Sequence, residues 1–375
     1  MEKQYNIGYA VVSLIFISNA IGFLSAALFT EALQDRLGRA KALMIAEALM
    51  LAGYLAILFM PPYAVVVVCF FLIGLGMAIN LALNNVFISN LANSTSMLGL
   101  FHGSYGVGGT IGPLIATAIA SHSATHWNRY YFLSFAVTVA NLFFAGWAFW
   151  HYERDAVSEF SLLDQQTAEV PANSDERQNT KRQLLAQALR SKTTLLGALF
   201  IFAYQGAEVS ISGWIISFLI SYRAGNPAEV GYVTAGFWAG ITIGRFVLTH
   251  PAHRVGERLF VVLVVIGAII FELLVWLVPN VIGDAVAVSL VGLLLGPIYP
   301  CAMHVFSRLL PRRIQVTSLS FISATGSSGG AIAPFTTGIM AQAVGTFVLH
   351  PVCIALFVAM EGCWFLLPKV SKRKE

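Results

Sequence analysis

Asp35-Arg36-Leu37-Gly38-Arg39 is a short stretch carrying both signs of charge between two long apolar blocks, residues 7–29 and 41–60. Each block is long enough to cross the hydrocarbon core of a bilayer, which takes about 20 apolar residues. A polar turn this short between two such blocks predicts a helical hairpin in a membrane. The same layout recurs in the second half of the chain. Gly22 precedes Asp35 by 13 positions, and Gly240 precedes His253-Arg254-Val255-Gly256 by the same 13. The two glycines stand 218 positions apart (240 − 22). Leu72-Ile73-Gly74-Leu75 matches Leu290-Val291-Gly292-Leu293 at that same offset, and Gly108-Gly109-Thr110-Ile111-Gly112-Pro113 matches Gly329-Gly330-Ala331-Ile332-Ala333-Pro334 at 221 (329 − 108). Three matches in one order, at nearly one offset, predict two parallel repeats.

Outward from this hairpin, further apolar blocks follow at 63–89, 97–121 and 129–151, and then at 194–222, 228–249, 259–278, 283–307, 315–343 and 348–368. The predicted class is an all-α integral membrane protein with 11 spans arranged 5 + 6. Residues 1–151 form a first bundle, 152–193 a polar linker with an amphipathic helix near Lys181–Leu189, and 194–375 a second bundle. The block at 194–222 has no counterpart in the first half, so the first repeat reads as missing its opening helix. Composition agrees with a membrane protein. Hydrophobic residues make up 57% and charged residues 11%, where a soluble surface takes roughly 25% charge. The net charge of +4 gives no sign of nucleic-acid binding. Cys69, Cys301, Cys353 and Cys363 lie inside apolar blocks, with spacing that fits neither a disulfide framework nor a zinc site. The polar start Met1–Asn6 is unlike a cleavable signal peptide.

Lys and Arg counts set the orientation. Alternate loops place Lys3, Arg129 and Arg223 on one side, Arg245 falls within a span, and the remaining 18 of the 22 basic residues collect on the other side (22 − 3 − 1). The expected topology has the N-terminus outside, and the linker and C-terminus in the cytoplasm. Asn93, in an Asn-Ser-Thr sequon, then faces the cytoplasm. It is expected to carry no glycan, as checked by the gel mobility of the expressed chain before and after glycosidase treatment. A glycan at Asn93 reverses the topology or breaks the span count.

Asp35-Arg36-Leu37-Gly38-Arg39 resembles the loop signature G-x-x-x-D-R-x-G-R-[RK] of the major facilitator superfamily, with Glu31 in place of the leading Gly and Ala40 in place of the final basic residue. The resemblance implies a two-bundle fold and a gating role for Asp35, Arg36, Gly38 and Arg39. Within that superfamily the chain is similar to the fucose–proton symporter branch, in particular its fungal members. That similarity rests on Asn80-Leu81-Ala82-Leu83-Asn84-Asn85, His102-Gly103-Ser104-Tyr105-Gly106, Tyr204-Gln205-Gly206-Ala207-Glu208 with Trp214, Gly236-Phe237-Trp238 and Gly296-Pro297-Ile298-Tyr299-Pro300. Members of the branch begin with another helix, which contributes a proton-titrating acid.

Glu208 is the sharpest candidate for chemistry. It lies about 14 residues from either end of its block, so about 20 Å along the helix axis, where a carboxylate needs a partner, water or a proton. Gln205 and Ser212 share its face at i−3 and i+4. Asn80 and Asn84 share another face, with Asn85 beside it; amides suit a neutral polyol or serve as glue between helices. Trp214, Trp238 and Tyr299 are candidates to stack on a sugar ring, or to pack. His102 and His304 titrate near neutral pH or bond a carbonyl. Arg245 is expected to snorkel toward the inside end of its span or to pair with an acid, and Glu47, Glu272 and Glu361 to reach interfacial water.

No phosphate loop, metal-ligand spacing or nucleophile triad is present in the sequence, so no catalytic residue, metal or cofactor is expected. The expected function is secondary active transport of a small polar solute, a sugar or similar neutral compound, coupled to protons, by a monomer in the plasma membrane. Two rival readings follow from the missing helix: a transporter-like sensor or regulator that moves nothing, and a chain whose first helix is encoded upstream of Met1.

Overall fold

The structure, a computed structural model, describes residues 1–89, 91, 94–122, 127–150 and 183–368. Asn93 and most of the polar linker lie outside the described residues. The described part is helical throughout. One run, Leu14–Leu58, is broken at Gly38, whose φ of 78° and ψ of 166° lie outside helical space. Residues 14–37 are called α1 and residues 39–58 α2. Then come α3 (Tyr63–Ser89), α4 (Ser94–His122), α5 (Tyr130–Phe149), α6 (Lys192–Ser221), α7 (Val233–Val247), α8 (Glu257–Leu277), α9 (Val281–Leu295), α10 (Ile298–Leu309), α11 (Arg312–Val344) and α12 (Leu349–Phe365). Residues 183–190, where the amphipathic helix was expected, are helical.

Among the described residues, eight stretches are long and apolar enough to cross a membrane: Tyr9–Thr30, Ala32–Leu58, Tyr63–Ile88, Trp127–Phe149, Lys192–Ser221, Glu257–Leu277, Val281–Leu309 and Thr346–Phe365. Local chemistry sets their ends. Ser191 Oγ accepts the Thr194 N–H at the start of α6, and Asn280 Oδ1 accepts the N–H groups of Ile282 and Gly283 at the start of α9, filling donors that the first turn leaves open. Gly256 (φ 96°) and Gly345 (φ 102°) end the helices before them in a conformation that side chains resist.

The chain divides into two compact units. One gathers Leu14–Phe101 with His126–Thr180; the other gathers Met1–Ser13, His102–Thr125 and Lys181–Glu375. In the first, α1 and α2 lie along α3, and α5 packs on α2, around Ala42, Leu43, Ala46, Ile79 and Leu83. In the second, α6 is held by α11 and α12, α7 lies on α9, and α8 touches α9 and α12.

The repeat seen in the sequence is built into atomic contacts. A Cβ at Gly22 would stand 2.1 Å from the Phe71 carbonyl oxygen, and one at Gly240 would stand 2.2 Å from that of Ser289. Residues 71 and 289 are again 218 apart (289 − 71). The converse contact also repeats: Gly74 faces the Asn19 oxygen at 2.1 Å and Gly292 the Phe237 oxygen at 2.2 Å, with 19 and 237 at the same offset (237 − 19). In each unit two helices cross backbone to backbone, because neither carries a side chain at the crossing. Small residues allow this close approach in a bilayer, where dispersion contacts replace the hydrophobic effect as the force between helices.

Several charged side chains sit where the sequence reading did not expect them. Glu272 does not reach interfacial water: it is 1% exposed, and its Oε1 pairs with Nδ1 of the fully buried His350 at 2.7 Å. Asp284, close by, takes Arg223 Nε at 3.1 Å, and that guanidinium also donates to the Val275 and Trp276 carbonyls. Glu47 does not reach interfacial water either, being fully buried. His304 pairs with a carboxylate instead of a carbonyl: Nδ1 lies 2.6 and 2.7 Å from the two Glu257 oxygens. For Glu47 and Glu272 the cause is that helices packed side by side bury faces that a hydropathy profile treats as neutral.

Candidate functional site

The middle of α6 presents Tyr204, Gln205 and Glu208. Tyr204 is 1% exposed and Glu208 7% exposed. Positions 204 and 208 are one turn apart on one face, so the phenol and the carboxylate point the same way. Arg245 of α7 faces them. Of the two expected placements it takes the inward one, within electrostatic reach of Glu208, of Tyr204 and of Tyr105 of α4. The Tyr204 phenol lies beside both Glu208 and Arg245, and its Oη is buried with no hydrogen-bond partner. Arg245 Nε is likewise buried without a partner. The opposite charges of Glu208 and Arg245 offset part of the desolvation cost, which for either alone is several kcal/mol.

Aromatic rings wall the cluster. Tyr299 of α10 lies 6.1 Å, centroid to centroid, from Tyr204 and shares a hydrogen bond of 3.2 Å with Ser323 of α11. Tyr105 meets Trp238 of α7 edge-on at 5.8 Å. That contact depends on glycine: Cβ atoms at Gly106 and Gly109 of α4 would stand 2.5 Å from Thr242 Oγ1 and 3.0 Å from the Trp238 ring. Gln205 has its amide against α11, where a Cβ at Gly326 would come 2.8 Å from Gln205 Oε1.

The structure thus brings Glu208, Gln205, Trp238 and Tyr299 into one neighbourhood and adds Tyr204, Arg245 and Tyr105. Arg245 was legible only as a charge inside a span; what it pairs with was not. Trp214 is placed differently. It is 4% exposed, donates Nε1–H to the Pro334 carbonyl at 2.8 Å and packs edge-on against Tyr9, as a strut between α6 and α11. The His102 side chain lies outside those described.

Asn80 and Asn84 belong to the other unit. Asn84 Nδ2 donates to Asn80 Oδ1 at 2.7 Å, and Asn80 Nδ2 donates to Glu47 Oε1 at 2.5 Å. Asn85, beside them, is half-buried. In the turn between α1 and α2, Asp35 and Arg36 are exposed and Gly38 makes the break. Arg39 turns inward instead: it is 7% exposed, donates Nη1–H to the Leu83 carbonyl at 2.6 Å and lies over the Phe87 ring at 5.4 Å.

A family model described as Major Facilitator Superfamily matches residues 1–370. The chain is 25% identical to the protein named Bypass of stop codon protein 6 of Saccharomyces cerevisiae, over 100% of this chain and 78% of that protein. It is 22% identical to the Glucose/mannose transporter GlcP of Bacillus subtilis, over 87% of this chain and 78% of that one. Among solved structures, the transporter FucP in its outward conformation aligns with a TM-score of 0.64 at 16% identity, over 96% of this chain and 90% of FucP. At that identity the likeness is one of fold.

Proposed function

The chain belongs to the Major Facilitator Superfamily, and from that membership we propose that it carries a small polar solute, a sugar or similar neutral compound, across a membrane by alternating access, coupled to protons. The observation that carries this reading is the buried Glu208–Arg245–Tyr204 cluster, with Gln205 and the rings of Tyr299, Tyr105 and Trp238 around it. Protonating Glu208 leaves Arg245 without its counter-charge, so proton occupancy and the integrity of the pair are linked. A solute hydroxyl can take over the bonds that Tyr204 and Arg245 leave open. Relatives named for glucose with mannose, or with galactose, favour a hexose. The test is uptake of labelled hexoses into vesicles with and without an imposed pH gradient. Accumulation that follows the gradient supports the reading, and no uptake of any sugar removes it.

The remaining architecture is proposed on the same footing: 11 spans arranged 5 + 6, bundles at 1–151 and 194–375, a cytoplasmic C-terminus, a monomer in the plasma membrane. The α1–α2 turn is proposed as a gate, in which Asp35 and Arg36 bridge helix ends while Arg39 anchors the turn on α3. Asp35→Asn is expected to shift the balance of inward- and outward-open states, read as changed labelling of an engineered cysteine from one side of the membrane. Unchanged labelling from both sides removes the gating role.

A second reading, a sensor or regulator that moves nothing, is favoured by one difference between the repeats. Gly329 of α11 nests against α6, where a Cβ would stand 2.1 Å from the Phe202 oxygen, whereas its counterpart Gly108 has open space beside it among the described residues. Absence of uptake, together with a solute-dependent shift in thermal stability, would place this reading first.

A further inference from the structure

The proposed solute site leaves a second buried acid unused. Glu47 of α2 is fully buried. Its Oε1 accepts Asn80 Nδ2–H of α3 and Asn141 Nδ2–H of α5, each at 2.5 Å. An ionised carboxylate only accepts, so both amides must turn their NH2 groups toward it. Asn80 Oδ1 then faces away and takes Asn84 Nδ2–H at 2.7 Å. Each NH2 group spends one N–H in this way, and the acceptors left over are Asn84 Oδ1, Asn141 Oδ1 and Glu47 Oε2, the last buried with no partner. A cavity of about 170 Å³ lies alongside, lined by Asn80, Asn84 and Asn141 together with Leu43, Phe144 and Phe149.

Charge decides what this cavity takes. Among the described residues no cationic side chain pairs with Glu47. Arg39, two turns away on the same helix, gives its guanidinium to the Leu83 carbonyl and the Phe87 ring. Tyr54, two turns the other way, packs on Tyr131 of α5. The residues that α3 and α5 turn toward Glu47 are the uncharged Asn80 and Asn141. A sugar hydroxyl would supply a donor and leave the negative charge uncompensated in apolar surroundings, a cost exceeding what single neutral hydrogen bonds return. A small cation meets both needs at once. We infer that Glu47, Asn84 and Asn141 form a small-cation site, for a proton or a sodium ion, in the α2–α3–α5 unit. As a coupling site it rests on the transport reading; as a binding site it stands without it.

The test uses the purified full chain in detergent, so it does not depend on uptake. One arm follows the thermal unfolding midpoint as NaCl replaces choline chloride at constant ionic strength. The other follows the infrared band of protonated carboxyl groups as pH is lowered. A sodium-dependent rise in the midpoint, or a titrating band, that Glu47→Gln abolishes and Glu208→Gln leaves in place identifies the site and its ion. If neither signal depends on Glu47, the acid is structural and the inference falls. Asn84→Leu covers the case in which Glu47→Gln fails to fold, because it keeps both donors on the carboxylate and removes one cavity acceptor. It should weaken the half-saturating sodium concentration, or the matching proton concentration, by about tenfold. An unchanged value overturns the site.

Discussion

Vesicles carrying Glu208→Gln are expected to lose gradient-driven accumulation of solute while still folding, and those carrying Arg245→Met to fold poorly. The asymmetry follows from the pair. Gln at 208 keeps the shape and can still bond Tyr204 and Arg245, but cannot change its proton occupancy. Met at 245 leaves a carboxylate of 7% exposure without the nearby positive charge that acts on it, and losing the counter-charge of a buried ion costs at most about 3–5 kcal/mol. The double variant Glu208→Gln/Arg245→Met removes both charges. It is expected to recover most of that stability and to remain uncoupled. Thermal unfolding in detergent reads the first quantity and uptake with and without a pH gradient reads the second. If Glu208→Gln still concentrates solute in response to the gradient, Glu208 is structural and coupling lies elsewhere, with Glu47 the next acid to examine. If Arg245→Met is as stable as the parent, the pair does not stabilise the fold.

Gly292→Val is expected to abolish folded protein, and Gly74→Val to do the same through the other repeat. In both cases the new Cβ would lie within 2.2 Å of a backbone carbonyl oxygen, Phe237 for the first and Asn19 for the second. A flexible side chain could swing away, but a carbonyl within a helix cannot, so the two helices must separate. The cost sits at the upper end of the roughly 1–3 kcal/mol typical of overpacking, and the crossing that organises each unit is lost. Size-exclusion chromatography of the detergent extract should show aggregate for both. The controls are Gly362→Ala and Gly108→Ala, positions with nothing within 4 Å of an added Cβ, which should behave as the parent. Gly329→Ala, with the Phe202 oxygen at 2.1 Å, should not. Damage from Gly108→Ala equal to that from Gly329→Ala would remove the difference between the repeats.

Much of this was readable along the chain because it depends on near neighbours in sequence. Apolar length marks a span whatever it packs against. A glycine spacing preserved at an offset of 218 (240 − 22) implies the same crossing made twice, and the contacts of Gly22 with Phe71 and Gly240 with Ser289 are that crossing. Glu208 stood out because a carboxylate deep in an apolar block is costly wherever its helix goes. The tertiary structure decided which partner meets which acid. Arg245 lies 37 positions from Glu208 (245 − 208) and Asn141 lies 94 from Glu47 (141 − 47), each pair on different helices. A helix carries its own periodicity but no information on the rotation and register at which a distant helix will pack against it. Those two quantities set Arg245 near Glu208, made Trp214 a strut between α6 and α11, and joined Glu47 to Asn80 and Asn141.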